Sequence, residues 1–211
     1  MIQELKVTGL LSKMIRRCRP AVAAALLLSS MLAACAGKDP HYTLKNITGL
    51  VSPLEFRLTD QDGQPVTAAD YRHDLVLLYF GYTRCPDECP TTLTTLANAL
   101  HTLGPEAAHV RVLFVTVDPH RDTTDVLKRY VGNFGPEFVG LRPDPQALTD
   151  LSKRYRIAYH YEKPDKYGNY EVDHSSAVFI FDGDGRARLL ALSDNTAQQV
   201  ASDLRRLLAS T

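Results

Sequence analysis

Residues 74–80, Asp-Leu-Val-Leu-Leu-Tyr-Phe, form a near-continuous apolar run. A strand with one solvated face alternates polar and apolar residues, and a membrane-spanning helix needs about 20 apolar residues. The run therefore predicts a strand buried on both sides, of the kind found in sheets covered by helices on either face. Residues 110–117 repeat the pattern. Between the two, Leu93, Leu96, Leu100 and Leu103 recur at helical spacing and predict a helix over residues 91–103.

The rest of the chain extends this alternation. Helices are expected over residues 123–134, Pro145–Tyr155 and Ala197–Leu208, with a short strand over 137–141. Residues 157–161 and 170–172 read as a hairpin around Lys166-Tyr167-Gly168-Asn169, and 177–181 with 187–192 as an antiparallel pair across Asp182-Gly183-Asp184-Gly185. Upstream, residues 54–58, Asp60-Gln61-Asp62-Gly63-Gln64 and Pro65-Val66 suggest a small N-terminal hairpin. The order βαβαββα with insertions implies an α/β fold: a thioredoxin-like central mixed sheet with flanking helices and that hairpin at its start.

The N-terminus reads as a leader. Lys13, Arg16, Arg17 and Arg19 precede an apolar run over residues 21–28 that continues from Met31 to Ala34. As a helix, residues 21–34 reach roughly 21 Å, short of a bilayer core of about 30 Å. A signal peptide over residues 1–34 fits better than a spanning helix. Its end, Leu32-Ala33-Ala34-Cys35, resembles a bacterial lipobox, which makes Cys35 the lipidated first residue of the mature chain. Met14, followed by Ile-Arg-Arg-Cys-Arg-Pro, gives a conventional short basic region and is the expected start of translation. Residues 35–53 are then a lipidated cysteine and polar tether, and 54–211 a single domain. The expected location is the bacterial cell envelope, membrane-anchored with the domain on the periplasmic face.

Charge names no partner and excludes one class. The 211-residue chain carries 24 basic and 24 acidic residues, and without residues 1–34 it carries 19 and 23. No long basic run lies outside the leader, so nucleic acid is not an expected ligand.

The cysteines carry the chemistry. Cys18 leaves with the leader and Cys35 is taken by lipid, so Cys85 and Cys89 are the thiols of the domain. Outside the cytoplasm such a pair is a disulfide, a redox couple or a soft-metal site. The segment Phe80-Gly81-Tyr82-Thr83-Arg84-Cys85-Pro86-Asp87-Glu88-Cys89-Pro90 leads from strand into helix and places Cys85 near a helix N-terminus. Free N–H groups and the helix dipole favour a thiolate there. Residues i and i+4 share one helix face with β-carbons about 5–6 Å apart, so both sulfurs can meet one ion or, with modest adjustment, each other. A stapling disulfide across so short a loop removes little chain entropy. Soft thiolates select Cu(I), and an added imidazole also accommodates Cu(II). His174, in Val172-Asp173-His174-Ser175-Ser176, is the candidate imidazole. His41, His73, His101, His109, His120 and His160 are expected at the surface or in packing, and Tyr155, Tyr159, Tyr161 and Tyr170 in the core and its rim. Tyr82 is placed to shield the site or to contact a partner.

At these residues the sequence resembles the Sco/SenC family of copper-binding proteins that assist cytochrome c oxidase assembly. Three segments carry the resemblance: residues 80–90, Val117-Asp118-Pro119-His120-Arg121-Asp122, and Asp173-His174-Ser175. It implies copper held by Cys85, Cys89 and His174, with Asp118 as an acidic neighbour in support. It also implies delivery to the dinuclear copper centre of an oxidase subunit, with other periplasmic copper carriers as further partners. Arg84 stands where many members have histidine, and His120 where many have glutamate, which alters local charge but no ligand. The rival reading is a thiol-disulfide oxidoreductase that uses Cys85 and Cys89 to keep the oxidase's copper-ligand cysteines reduced.

Overall fold

The structure, a computed structural model, describes residues 41–210. The leader, the start at Met14 and Cys35 lie outside them. A compact unit begins at Tyr42.

Its strands are β1 (Lys45–Asn46), β2 (Arg57–Asp60), β3 (Pro65–Thr67), β4 (Leu75–Gly81), β5 (Val110–Thr116), β6 (Phe138–Arg142), β7 (Tyr159–Tyr161), β8 (Val172–His174), β9 (Val178–Phe181) and β10 (Ala187–Ala191). The helices among the described residues are α1 (Glu88–Leu103), α2 (Thr124–Val131), α3 (Pro145–Tyr155) and α4 (Ala197–Leu208), with 3-10 turns at Ala68–Tyr71 and Gly104–His109. No helix there is long and apolar enough to cross a membrane.

The expected mixed sheet is present. Its strand order is β1-β10-β9-β4-β5-β6-β2-β3, with β4, β5 and β6 parallel and the outer strands antiparallel. Every residue of β4 is buried, as its unbroken apolar run requires of a strand covered on both faces. The side chains of β4 alternate between two layers. Tyr79 meets Phe114 on one face, and Phe80 meets Tyr155 of α3 on the other, where Tyr155 also contacts Phe179 and Phe181. The N-terminal hairpin, β2 with β3, joins this sheet beside β6. The hairpin expected after α3 forms the separate ribbon β7–β8, with Tyr159 opposite His174.

Two differences from the sequence reading bear on the cysteine loop and on the start of the domain. Helix α1 starts at Glu88 and takes Cys89 and Pro90 into its first turn. Proline is tolerated there because first-turn N–H groups have no intrahelical partner to lose. Order also begins before residue 54: β1 pairs with β10, and Leu44, Ile47 and Leu54 are buried. The polar composition of residues 35–53 conceals this, because two buried apolar residues are too few for a periodic pattern.

Candidate metal centre

The cysteine loop leaves the carboxyl end of β4, beside its parallel neighbour β5. The Val117 N–H donates to the Gly81 carbonyl at 2.8 Å, and the Cys85 N–H to Tyr82 O at 3.3 Å, so the chain turns sharply out of the sheet. Helix α1 then brings Cys89 back over Gly81. A β-carbon at position 81 would stand 2.7 Å from Phe114 Cε2 and 2.8 Å from Cys89 Sγ. Gly81 is therefore the vacant volume into which the Cys89 sulfur packs. Asp122, fully buried, fastens the loop: its carboxylate accepts from Thr83 N (2.9 Å), Thr83 Oγ1 (2.6 Å) and Thr116 Oγ1 (2.6 Å). Burial pushes its carboxyl pKa up, against the pull of Thr116 and Thr83.

The two thiols are unequal. Both are free; Cys85 is half-buried and Cys89 fully buried. The Cys89 N–H donates to Cys85 Sγ at 3.3 Å, so a free amide of the helix start is aimed at the outer sulfur, as the sequence reading expects. Burial pushes the Cys89 thiol up to about 12, opposed first by hydrogen bonding with the Tyr82 backbone.

His174 ends β8 and hangs over this pair. Its Nδ1 lies 3.1 Å from the Ser175 carbonyl, which can only accept, so this contact suits the tautomer with the proton on Nδ1 and turns Nε2 towards the Cys89 sulfur. Nε2 lies 3.2 Å from Cys89 Sγ. The rings of Tyr82 and Tyr79 flank the imidazole edge-on, with centroids at 5.8 and 6.2 Å. The ligand atoms of Cys85, Cys89 and His174 all lie within 4.8 Å of one another. Two soft sulfurs and one oriented imidazole at that separation suit copper, and a carbonyl behind the imidazole is the usual support for a metal-binding histidine.

Asp118 lies behind this trio. It is buried, accepts from Tyr170 Oη at 3.0 Å, pairs with Arg121 Nε, and makes no bond to the three candidate ligands. Arg121 in turn covers the Tyr170 ring at 3.5 Å and donates to the Tyr170 carbonyl at 2.8 Å, tying the loop after β5 to the ribbon that carries His174. Arg84 and His120, the two departures from the family pattern, are exposed, as are His41, His73, His101, His109 and His160. Sequence reasoning missed the roles of Asp122, Arg121 and Tyr79, although it quoted the first two within a motif and Tyr79 within the apolar run of β4. The signal available was an aspartate and an arginine beside a strand end, which solvated loops also show.

Fold and site together define a thioredoxin-like domain with two thiols and one imidazole placed as a candidate metal centre. The chain belongs to the SCO1/SenC family, whose model matches residues 50–209. The mitochondrial SCO2 homologue of Mus musculus is 36% identical over 158 residues, covering 74% of this chain and 62% of that protein. An SCO2-like protein of Rickettsia prowazekii is 36% identical over 146 residues, covering 69% and 71%. Among solved structures, Bradyrhizobium japonicum ScoI with copper bound is 36% identical with a TM-score of 0.68, covering 74% of this chain and 99% of that one. The chain thus spans less than two thirds of the mouse relative and nearly all of the copper-loaded bacterial structure.

Proposed function

We propose that this protein is a membrane-tethered copper chaperone that binds the metal as cargo through Cys85, Cys89 and His174 and passes it to the dinuclear copper centre of cytochrome c oxidase. The observation that carries this reading is the convergence within 4.8 Å of two sulfurs and one imidazole from segments 85 residues apart in sequence. Cys89 grips the ion from the buried side, while half-buried Cys85 and His174 give a recipient thiolate or imidazole its point of entry. Transfer is then ligand exchange, in which each incoming donor replaces one of this chain's ligands. Asp118 supports the centre by holding Arg121 and Tyr170 in place. The segment up to residue 34 is a signal peptide, with translation starting at Met14, and Cys35 carries the lipid that anchors the domain on the periplasmic face. Periplasmic copper carriers are the suppliers.

The test is anaerobic copper titration of the reduced protein, with X-ray absorption to count sulfur and nitrogen ligands. One equivalent bound by two sulfurs and one nitrogen is expected, with loss of at least tenfold in affinity for His174→Ala, as removal of one first-layer ligand implies. Stoichiometric copper at undiminished affinity in His174→Ala would remove His174 from the set.

A second reading has its own support. An accessible sulfur that receives a helix-start N–H, with a buried partner behind it, is also the arrangement of a dithiol reductant. In that role Cys85 attacks a substrate disulfide, Cys89 resolves the mixed disulfide, and two electrons and two protons pass to the substrate thiols. This leaves a Cys85–Cys89 disulfide, and turnover of a disulfide substrate without copper, with an added dithiol to reduce that pair again, would favour it.

A further inference from the structure

We propose that the Tyr79 hydroxyl donates a hydrogen bond to the Cys89 sulfur when the site holds copper, and that this bond sets the balance between Cu(I) and Cu(II). The proposal rests on the copper reading above. Tyr79 is fully buried in β4, on the face towards α1, and its hydroxyl makes no hydrogen bond. A buried O–H without an acceptor is rare in native proteins and calls for an explanation. The polar groups that face it are the Cys89 sulfur and the Thr92 hydroxyl, while its ring stands against His174 at 70°. One side chain thus reaches two of the three candidate ligands.

A thiol is a weak acceptor; a thiolate is a strong one. Copper binding converts Cys89 from the first to the second, so the orphaned phenol gains a partner when the metal enters. Hydrogen bonds to a ligand sulfur withdraw charge from it and are an established control on copper potentials. Donation to Cu(II) suffers more than donation to Cu(I), so the bond favours the reduced ion.

Tyr130 supplies the control. Phe114 links it to Tyr79, with ring centroids 6.0 Å from Tyr79 and 5.3 Å from Tyr130, and the Tyr130 hydroxyl is also buried and unpartnered. Tyr130 stands behind Phe114, whereas the Tyr79 ring lies against His174 and its hydroxyl faces the Cys89 sulfur. Copper-loaded wild-type, Tyr79→Phe and Tyr130→Phe proteins are compared by voltammetry and by resonance Raman spectroscopy of the copper–sulfur stretch in H2O and D2O. Tyr79→Phe is expected to keep one copper, to lower the ratio of Cu(I) to Cu(II) affinity about tenfold, or about 59 mV for one electron, and to abolish the deuterium shift. Tyr130→Phe is expected to do neither. The metal-free Tyr79→Phe protein should melt no lower than wild type, since its lost hydroxyl had no partner. An unchanged potential in Tyr79→Phe, equal shifts in both variants, or a lower melting temperature of metal-free Tyr79→Phe would overturn the proposal. Wild-type protein that takes up no copper would overturn the copper reading instead.

Discussion

Cys89 is held as a thiol by its surroundings and must become a thiolate to bind metal. Gly81 gives its sulfur room, and burial there pushes its pKa from 9.0 to about 12. The unfolded chain loses this proton near pH 9, while the folded chain keeps it until about pH 12. Between those values the unfolded state binds fewer protons, so the group's contribution, complete below pH 9, is lost as pH rises towards 12. The expected slope is about 1.4 kcal/mol per pH unit for one proton. Denaturant melts of metal-free wild type and Cys89→Ala from pH 8 to 11 check it, because lysines and tyrosines titrate alike in both. Wild type should lose its advantage as pH rises; parallel curves would show the thiol to be unshielded. The same proton leaves when copper binds, so apparent copper affinity should climb with pH over this protein's stable range.

Two elements carry the ligands, and neither is stiff by itself. The cysteine loop is irregular, and β7–β8 is a two-stranded ribbon of a kind that is marginal without support. Asp122 holds the first through Thr83; Arg121 holds the second through the Tyr170 carbonyl. For Asp122→Ala the expected loss is about 3 kcal/mol, because the Thr83 amide and two hydroxyls lose a charged acceptor. Amide hydrogen exchange should speed up across residues 82–89 more than in β5, and copper affinity should fall with the sheet intact; uniform exchange would mean that Asp122 supports the fold rather than the loop. The strands and helices around these devices were legible in sequence, because burial on both faces of β4 and β5 and the leucine spacing of α1 leave direct patterns. The devices were not. Thr83 and Asp122 are 39 residues apart, both polar and both in loops, and only the parallel pairing of β4 with β5 makes them neighbours.

The same limit applies to the whole molecule at the segment that leads into the sheet. Residues 42–47 look like polar linker, yet Asp203 of α4, fully buried, accepts from the Thr43 and Leu44 amides at 2.7 Å each and from Arg206 Nη1 at 2.6 Å. An aspartate on the buried stripe of an amphipathic helix is costly unless it is paired, and here the incoming chain supplies the pairing. The segment then adds β1 to the edge strand β10 and buries Leu44 and Ile47. Asp203→Ala leaves two amides without an acceptor and should cost about 2–4 kcal/mol. Its sharper consequence is local release of the chain start. Limited proteolysis should cut Asp203→Ala within residues 42–53 under conditions that leave wild type whole, while the remaining domain still binds copper. Resistance equal to wild type would show that strand pairing and the two buried side chains hold the segment without the carboxylate.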